Sequence, residues 1–447
     1  MADPTKPDQG TVAIIEIDGL SEPLRNVRHF SVSDDYLQPG DTFAADVPDP
    51  HHTLYKKIEL FAGYKFYLKN PNIDGGTPSL RQTGVILGRK HGGSLAGDEI
   101  RLSGGDLGVH LQTSAEPFYR LEQATLMDLI QKLILDNPEW GFKGVRSDND
   151  LNRKLRQGRL GEQIRLNPSL VTPYMVIQVN PGETIIGVIQ EYARRDGLMV
   201  NVSADGYLQL SNPNYDQPTS FQINYHAAGT SAAQTNNVIG ETSVEEDGRL
   251  IYTSVTCVWD QLFLGSNQGP FLANPGRHAA TYTRKTNSSQ DVSVGTVGGI
   301  DGRPRPTDNP ITPTSAQATP LSTGPKFPRR FVFSQSEPMT PEQGARCAVW
   351  QAERFEFDAW KYTCTLAGHS QNGRWIASDT LAAVNDSIRG IKGTLYCPSV
   401  RLDSDRSGKA TTYVQLRKPG LLSNKKLVLN SVQHRADGVF VEVQVDG

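Results

Sequence analysis

Asn372-Gly373-Arg374-Trp375 opens the stretch on which the reading of this chain turns. It is followed by a mostly apolar run to Val384-Asn385-Asp386, then Gly390-Ile391-Lys392-Gly393-Thr394-Leu395-Tyr396, and then a segment from Val400 to Asp403. Ser404-Asp405-Arg406-Ser407-Gly408 separates that segment from Thr411 to Arg417, and Pro419-Gly420 ends the unit. Val400 and Leu402, and again Thr412, Val414 and Leu416, recur with period two, as half-buried antiparallel strands require. The residues between them tolerate tight or left-handed backbone, so the spacing predicts a hairpin.

Size and composition set the frame for the rest. A chain of 447 residues exceeds one ordinary core, so two to four domains are expected. With 37% hydrophobic residues, 42 glycines and 28 prolines, strand-and-turn architecture is favoured over a helical one. A net charge of −3 argues against a nucleic-acid binder held by phosphate neutralisation. Cys257, Cys347, Cys364 and Cys397 form neither a CxxC nor a Cys/His metal spacing, and read as buried free thiols of a reducing compartment. The amino terminus lacks the charged-then-apolar pattern of a secretory leader. No apolar run reaches the roughly 18 residues of a membrane span, so no membrane insertion is expected.

Taken in order, Val12 to Ile17 starts a strand, and further strands are expected near 26–33, 42–45, 57–62, 66–69, 84–88 and 99–104. Spacings of about ten residues with Gly, Asp or Pro between them suggest a small antiparallel barrel or split sandwich. Thr125 then reads as a helix N-cap with Asp128 three residues on, and Leu126, Leu129, Ile130, Leu133 and Ile134 make one apolar stripe before Asn137-Pro138. The basic region 148–165, with Arg153, Lys154, Arg156, Arg159 and Arg165, reads as a solvated excursion, with contact to an acidic partner as the alternative. Thr184 opens a second helix carrying Ile185, Ile189, Tyr192 and Ala193 on one face and Gly197 as its cap, and a hairpin turns at Ala204-Asp205-Gly206.

From Gly265 to Pro325 the chain becomes rich in Pro, Gly, Ser and Thr without apolar periodicity, and reads as a loop, linker or insertion. Strands resume at Arg329. Thr340-Pro341-Glu342-Gln343 is a strong helix start, with Ala345, Ala348, Val349, Ala352 and Phe355 expected on its buried face. A strand from Ala359 to Ala367 follows, with Trp360, Tyr362, Cys364 and Leu366 on one side, and a last hairpin turns at Asp437-Gly438.

The ordered set of Gly373 to Trp375, Val384 to Asp386, Gly390 to Gly393 and Leu416 to Pro419 resembles the carboxy-terminal region of the central baseplate hub proteins of contractile phage tails, the Mu-like hub and late control protein D group. Val179 to Pro213 is similar to the middle domain of that group, and the 340–375 segment to the helix and strand that precede its Trp. The resemblance covers most of residues 12–447 and is strongest over 326–420. It implies a mainly β fold with α+β parts: an N-terminal β-barrel-like domain over 1–124 and a middle α/β domain over 125–216. A second, discontinuous barrel-like domain would hold 217–264 plus 326–371, with the insertion 265–325 and a C-terminal β domain over 372–447. It also implies a homotrimer in the virion tail baseplate, assembled in the bacterial cytoplasm. The implied partners are a tail tube protein above, a spike below, baseplate wedge proteins, and a tape measure protein and DNA passing through the lumen. A secretion-system or tailocin spike protein of the VgrG kind shares this pattern and is the alternative within the fold. A β-rich cell-envelope hydrolase is the alternative from another class.

Candidate chemistry is sparse. Asp403-x-Asp405-x-Ser407-Gly408 matches half of a calcium loop, but Val414 stands where a bidentate acid is needed, so a hairpin turn is expected. His51-His52 has no third ligand at useful spacing and reads as a surface loop. His369 could serve as a general base, but no partner residue is marked for it. GxSxG, HExxH and GxxxxGK[ST] are absent from the sequence. No catalytic, cofactor-binding or metal residue is therefore assigned, no cofactor is expected, and the chain reads as a structural protein.

Overall fold

The computed structural model describes residues 10–94, 97–113, 120–122, 124–147, 176–179, 182–240, 242–260, 277–283, 329–335, 341–422, 427–435 and 438–445. The basic region 148–165 lies outside them, as does most of the 265–325 stretch. Among the described residues the fold is mainly β with α+β parts, as expected, and is organised by a 12-stranded sheet. One half of that sheet runs Val12–Ile17, Gly63–Lys69, Ser79–Ser94, Gly97–Asp106, Thr42–Pro48, His29–Asp35. There it passes directly to Ile391–Ser404, Ala410–Arg417, Trp360–Ala367 and Ser243–Glu246.

The strand Ile391–Ser404 makes this continuity possible. Its first half pairs with Thr380–Asp386, and its second half with His29–Asp35. The register against Ala410–Arg417 shifts between Tyr396 and Ser399, around Pro398, which has no N–H to offer the ladder. The Pro398 carbonyl instead accepts the N–H of Tyr36 at 2.9 Å. A proline thus bends one strand so that it serves two sheet regions.

Each region has its own core. Ile15, Phe30, Phe43, Phe66, Ile100 and Leu102 fill the first, joined by Leu402 from the far end of the chain. Phe221, Tyr362, Leu366, Val384, Val400 and Val414 fill the second. The third belongs to the middle segment, where Leu129, Ile130, Ile134, Ile189, Tyr192 and Leu210 pack together. The capping box forms as expected: Thr125 Oγ1 accepts from the N–H of Asp128, whose carboxylate accepts from the N–H of Thr125 at 2.7 Å. Thr184 caps the helix Ile185–Arg195, and Gly197 adopts φ 71° just past its end, where a side chain would be strained.

A separate 5-stranded sheet runs Arg330–Gln335, Ser254–Asp260, Arg277–Thr283, Gly438–Val445, Leu427–Arg435. The helix Pro341–Ala359 packs on it, with Gly344 lying so close to the Trp259 ring that an added Cβ would sit 2.3 Å from it. Two sequence expectations are corrected here. Residues 57–62 are not a strand: Thr53–Lys57 is a helix, and Phe61 follows with φ 64°. Arg277–Thr283, inside the stretch read as loop or linker, is a strand paired on both sides, to Ser254–Asp260 and Gly438–Val445. Its Ala279-Ala280-Thr281-Tyr282 run is short and its flanks rich in turn formers, which hid the β signal.

Candidate functional site

The three cores meet at one joint. Tyr36 and Leu37 from the first region, Met199 from the middle segment, and Phe357, Leu381, Tyr396 and Leu422 from the last form a shared apolar cluster. Polar bonds stitch its rim. Tyr36 Oη donates to the Asn212 carbonyl at 3.0 Å, and Tyr215 Oη to the Leu421 carbonyl at 2.5 Å. Thr83 Oγ1 donates to the Ala204 carbonyl at 2.7 Å. Asp379 Oδ1 accepts from the Asn214 N–H at 3.0 Å and from Tyr396 Oη at 2.8 Å. Directional bonds of this kind, most of them partly buried, fix a geometry that apolar contact alone leaves free to slide.

Beside this cluster lies a cavity of about 200 Å³ whose walls carry Asp34, Asp41, Asp106 and Asp379 together with Arg81. Burial, then the neighbouring Asp34 and Asp106, push the Asp41 carboxyl well above its ordinary range, against a lowering bond from the Asp35 N–H. Burial likewise pushes Asp106 up to about 7, although the backbone N–H of Gly108 donates to it at 2.8 Å. The joint therefore stores acids that stay protonated well above the usual carboxylate pKa. Chemically this is a titratable seam; sequence reading missed it because the four aspartates are scattered from 34 to 379 and no local pattern marks them.

The residues singled out in the sequence have structural duties. The half calcium loop is a hairpin turn, in which Asp405 Oδ1 accepts from the N–H groups of Ser407 and Lys409, both at 2.9 Å. That turn presents Arg406 to the first sheet region, where it pairs with Glu99 and lies 3.6 Å from Asp46. Burial would raise the Asp46 pKa; Arg101, His29 and Arg406 outweigh it and hold the carboxyl below its ordinary value. His369 is buried, donates from Nε2 to the Asp403 carbonyl at 2.8 Å, and packs against Phe30. His52 sits on the surface, 3.5 Å from Asp98 and against the His91 ring, while His51 is exposed. The four cysteines are buried. Among the described residues, no group of three or more His, Cys, Asp and Glu side chains is arranged to hold a metal ion. No described helix is long and apolar enough to cross a membrane.

Asp386, the end of the Val384 to Asp386 motif, is fully buried and accepts four hydrogen bonds. Its Oδ1 accepts from the N–H groups of Ile388 and Arg389, both at 3.0 Å. Its Oδ2 accepts from Thr242 Oγ1 at 2.8 Å and Tyr362 Oη at 3.1 Å. The motif is thus a four-bond clamp that closes one strand and ties it to the strand Trp360–Ala367 and to Thr242, just before Ser243–Glu246.

No protein-family model and no curated protein sequence matches the chain. Solved structures do. A tail protein from Neisseria meningitidis MC58 superposes with a TM-score of 0.61 at 17% identity, covering 92% of this chain and 98% of that one. The 43 kDa tail protein of prophage MuSo2 from Shewanella oneidensis gives 0.58 at 13% identity, covering 92% and 99%. A component of the type VI secretion system from E. coli aligns less well, with a TM-score of 0.46 at 10% identity over 94% and 82%. The chain has the fold of the two tail proteins along nearly its whole length.

Proposed function

We propose that this chain is a structural component of a phage-type tail, and within it the central hub of a contractile-tail baseplate. The observation that carries the reading is the end-to-end likeness to two tail proteins, each covered almost completely. The 372–419 stretch that carries the resemblance agrees with it: within it lie a strand that changes partners at Pro398, a clamp at Asp386 and a turn docked through Arg406. In this reading the protein is not an enzyme and acts by shape.

Three copies would form a ring whose two sheet regions per chain alternate, giving six similar units beneath a six-fold tube and above a three-fold spike. Two exposed sheet edges, Ser243–Glu246 and Arg330–Gln335, would be covered by neighbouring copies, which removes the hazard of open edges. DNA and the tape measure protein would pass through the ring, and wedge proteins would surround it. The proposed division places barrel-like units at 1–124 and at 217–264 plus 326–371, a middle unit at 125–216, an insertion at 265–325 and a C-terminal unit at 372–447. Deleting the gene from the producing strain and imaging the particles tests this reading. Loss of assembled tails, restored by the gene in trans, supports it; intact, infective or contractile particles overturn it.

A further inference from the structure

A second cleft, of about 430 Å³, opens between the helix Ile185–Arg195, the helix Pro341–Ala359 and the Leu37-Gln38-Pro39 turn. Its size is that of a site for a small ligand or a few side chains. Two guanidinium groups, Arg194 and Arg354, face it, and the Arg194 guanidinium lies 5.0 Å over the Trp350 ring. Arg354 uses Nε on Asp358 at 2.7 Å. Arg194 has no carboxylate partner among the described residues, for the nearby Glu191 is held by Arg195 at 3.0 Å. The Trp350 indole N–H is buried beside it with no acceptor among the described residues. Burial, then Arg354, lower the Arg194 pKa. A guanidinium with no carboxylate partner and a buried unmatched donor are unfavourable in an empty cleft and favourable once an acceptor with negative charge enters.

We propose that this cleft binds an acidic peptide segment of a partner protein, a side-chain carboxylate docking on Arg194 and Trp350 Nε1. The remaining walls select a peptide over a free anion. Gln38, Gln190 and Gln351 offer both donors and acceptors, which match a peptide backbone, while Leu198 and Met199 offer apolar surface. A phosphate ion has no use for amide carbonyls or for a hydrocarbon wall. The inference does not rest on the tail reading, because a chain with any other role would bind the same peptide.

The test is a titration of the full chain with a terminally blocked acidic heptapeptide, followed by calorimetry and tryptophan fluorescence. The controls are the same peptide with amides in place of its carboxylates, and inorganic phosphate. Saturable binding with a fluorescence change that Trp350→Phe abolishes is expected, with the amide peptide at least about tenfold weaker. Arg194→Gln should weaken binding by about tenfold or more. Gln351→Glu supplies a carboxylate from within; it should weaken binding similarly while the unfolding temperature stays at or above that of the parent, which separates site loss from misfolding. Equal binding of the amide peptide overturns the proposal. So do displacement by equimolar phosphate, an unchanged affinity in both variants, and absence of saturation up to about 1 mM.

Discussion

Ser378 donates from Oγ to Asp34 Oδ1 at 2.6 Å, a bond between residues 344 positions apart. It closes the joint where the first sheet region meets the strand Thr380–Asp386. Because the acceptor is a carboxylate, Ser378→Ala should destabilise the chain by about 1.5 to 3 kcal/mol. A double-mutant cycle with Asp34→Asn, read by denaturant unfolding, should show coupling of at least about 0.5 kcal/mol. Additive effects would mean that the two side chains do not act together.

Asp106 gives the joint a pH dependence of known sign. Its folded-state pKa of about 7 exceeds the ordinary 3.8, so the folded chain holds this proton more tightly than the unfolded one. The stabilisation is complete below the ordinary pKa and is lost as pH rises through about 7; Asp41 shifts in the same direction. Asp106→Asn keeps the Oδ1 that accepts from Gly108 but cannot ionise. The melting temperature of the parent, relative to that variant, should therefore fall between about pH 5 and pH 8. A difference that is flat or rises with pH would exclude the protonated joint.

Asp386→Ala removes an acceptor of four hydrogen bonds at a fully buried position and leaves Tyr362, Thr242 and two backbone N–H groups unsatisfied. A loss of about 3 kcal/mol or more is expected from chemical denaturation. Asp386→Asn retains Oδ1 for the two N–H groups and should recover part of it. Equal loss in both variants would show that charge, and not bond count, is what the clamp needs.

Gly344→Ala would place a methyl group 2.3 to 2.4 Å from atoms of the buried Trp259 ring. Helix and sheet must separate or the ring must turn. A cost of about 1 to 3 kcal/mol is expected, with a changed near-ultraviolet signal from Trp259. Unchanged stability and spectrum would contradict the close approach.

How legible all this was depended on distance along the chain. The Thr125 and Thr184 caps, the apolar stripe of 126–134 and the alternation of Trp360 to Leu366 are local patterns, and each appears where it was expected. The helix at Thr53–Lys57 went unread, and a strand was expected just after it, because its cap is Asp49, whose Oδ atoms accept from the N–H groups of Thr53, Leu54 and Tyr55; a carboxylate four residues upstream falls outside the usual N-cap register. The joint itself was not legible. Asp34, Asp106, Asn214 and Ser378 are ordinary turn or strand residues until topology brings their neighbourhoods together, and the Pro398 bend that does so looks in sequence like the end of a strand. The Arg194 cleft was hidden for the same reason, since Trp350 and Leu37 come from distant segments.

The native mass of the purified chain, with and without a coexpressed spike protein, tests the proposed ring most directly. Three copies of the 49.0 kDa chain give about 147 kDa, and that species is expected. A strict monomer at micromolar concentration, unchanged by any tail partner, would contradict the trimeric hub and leave the fold without the role proposed for it.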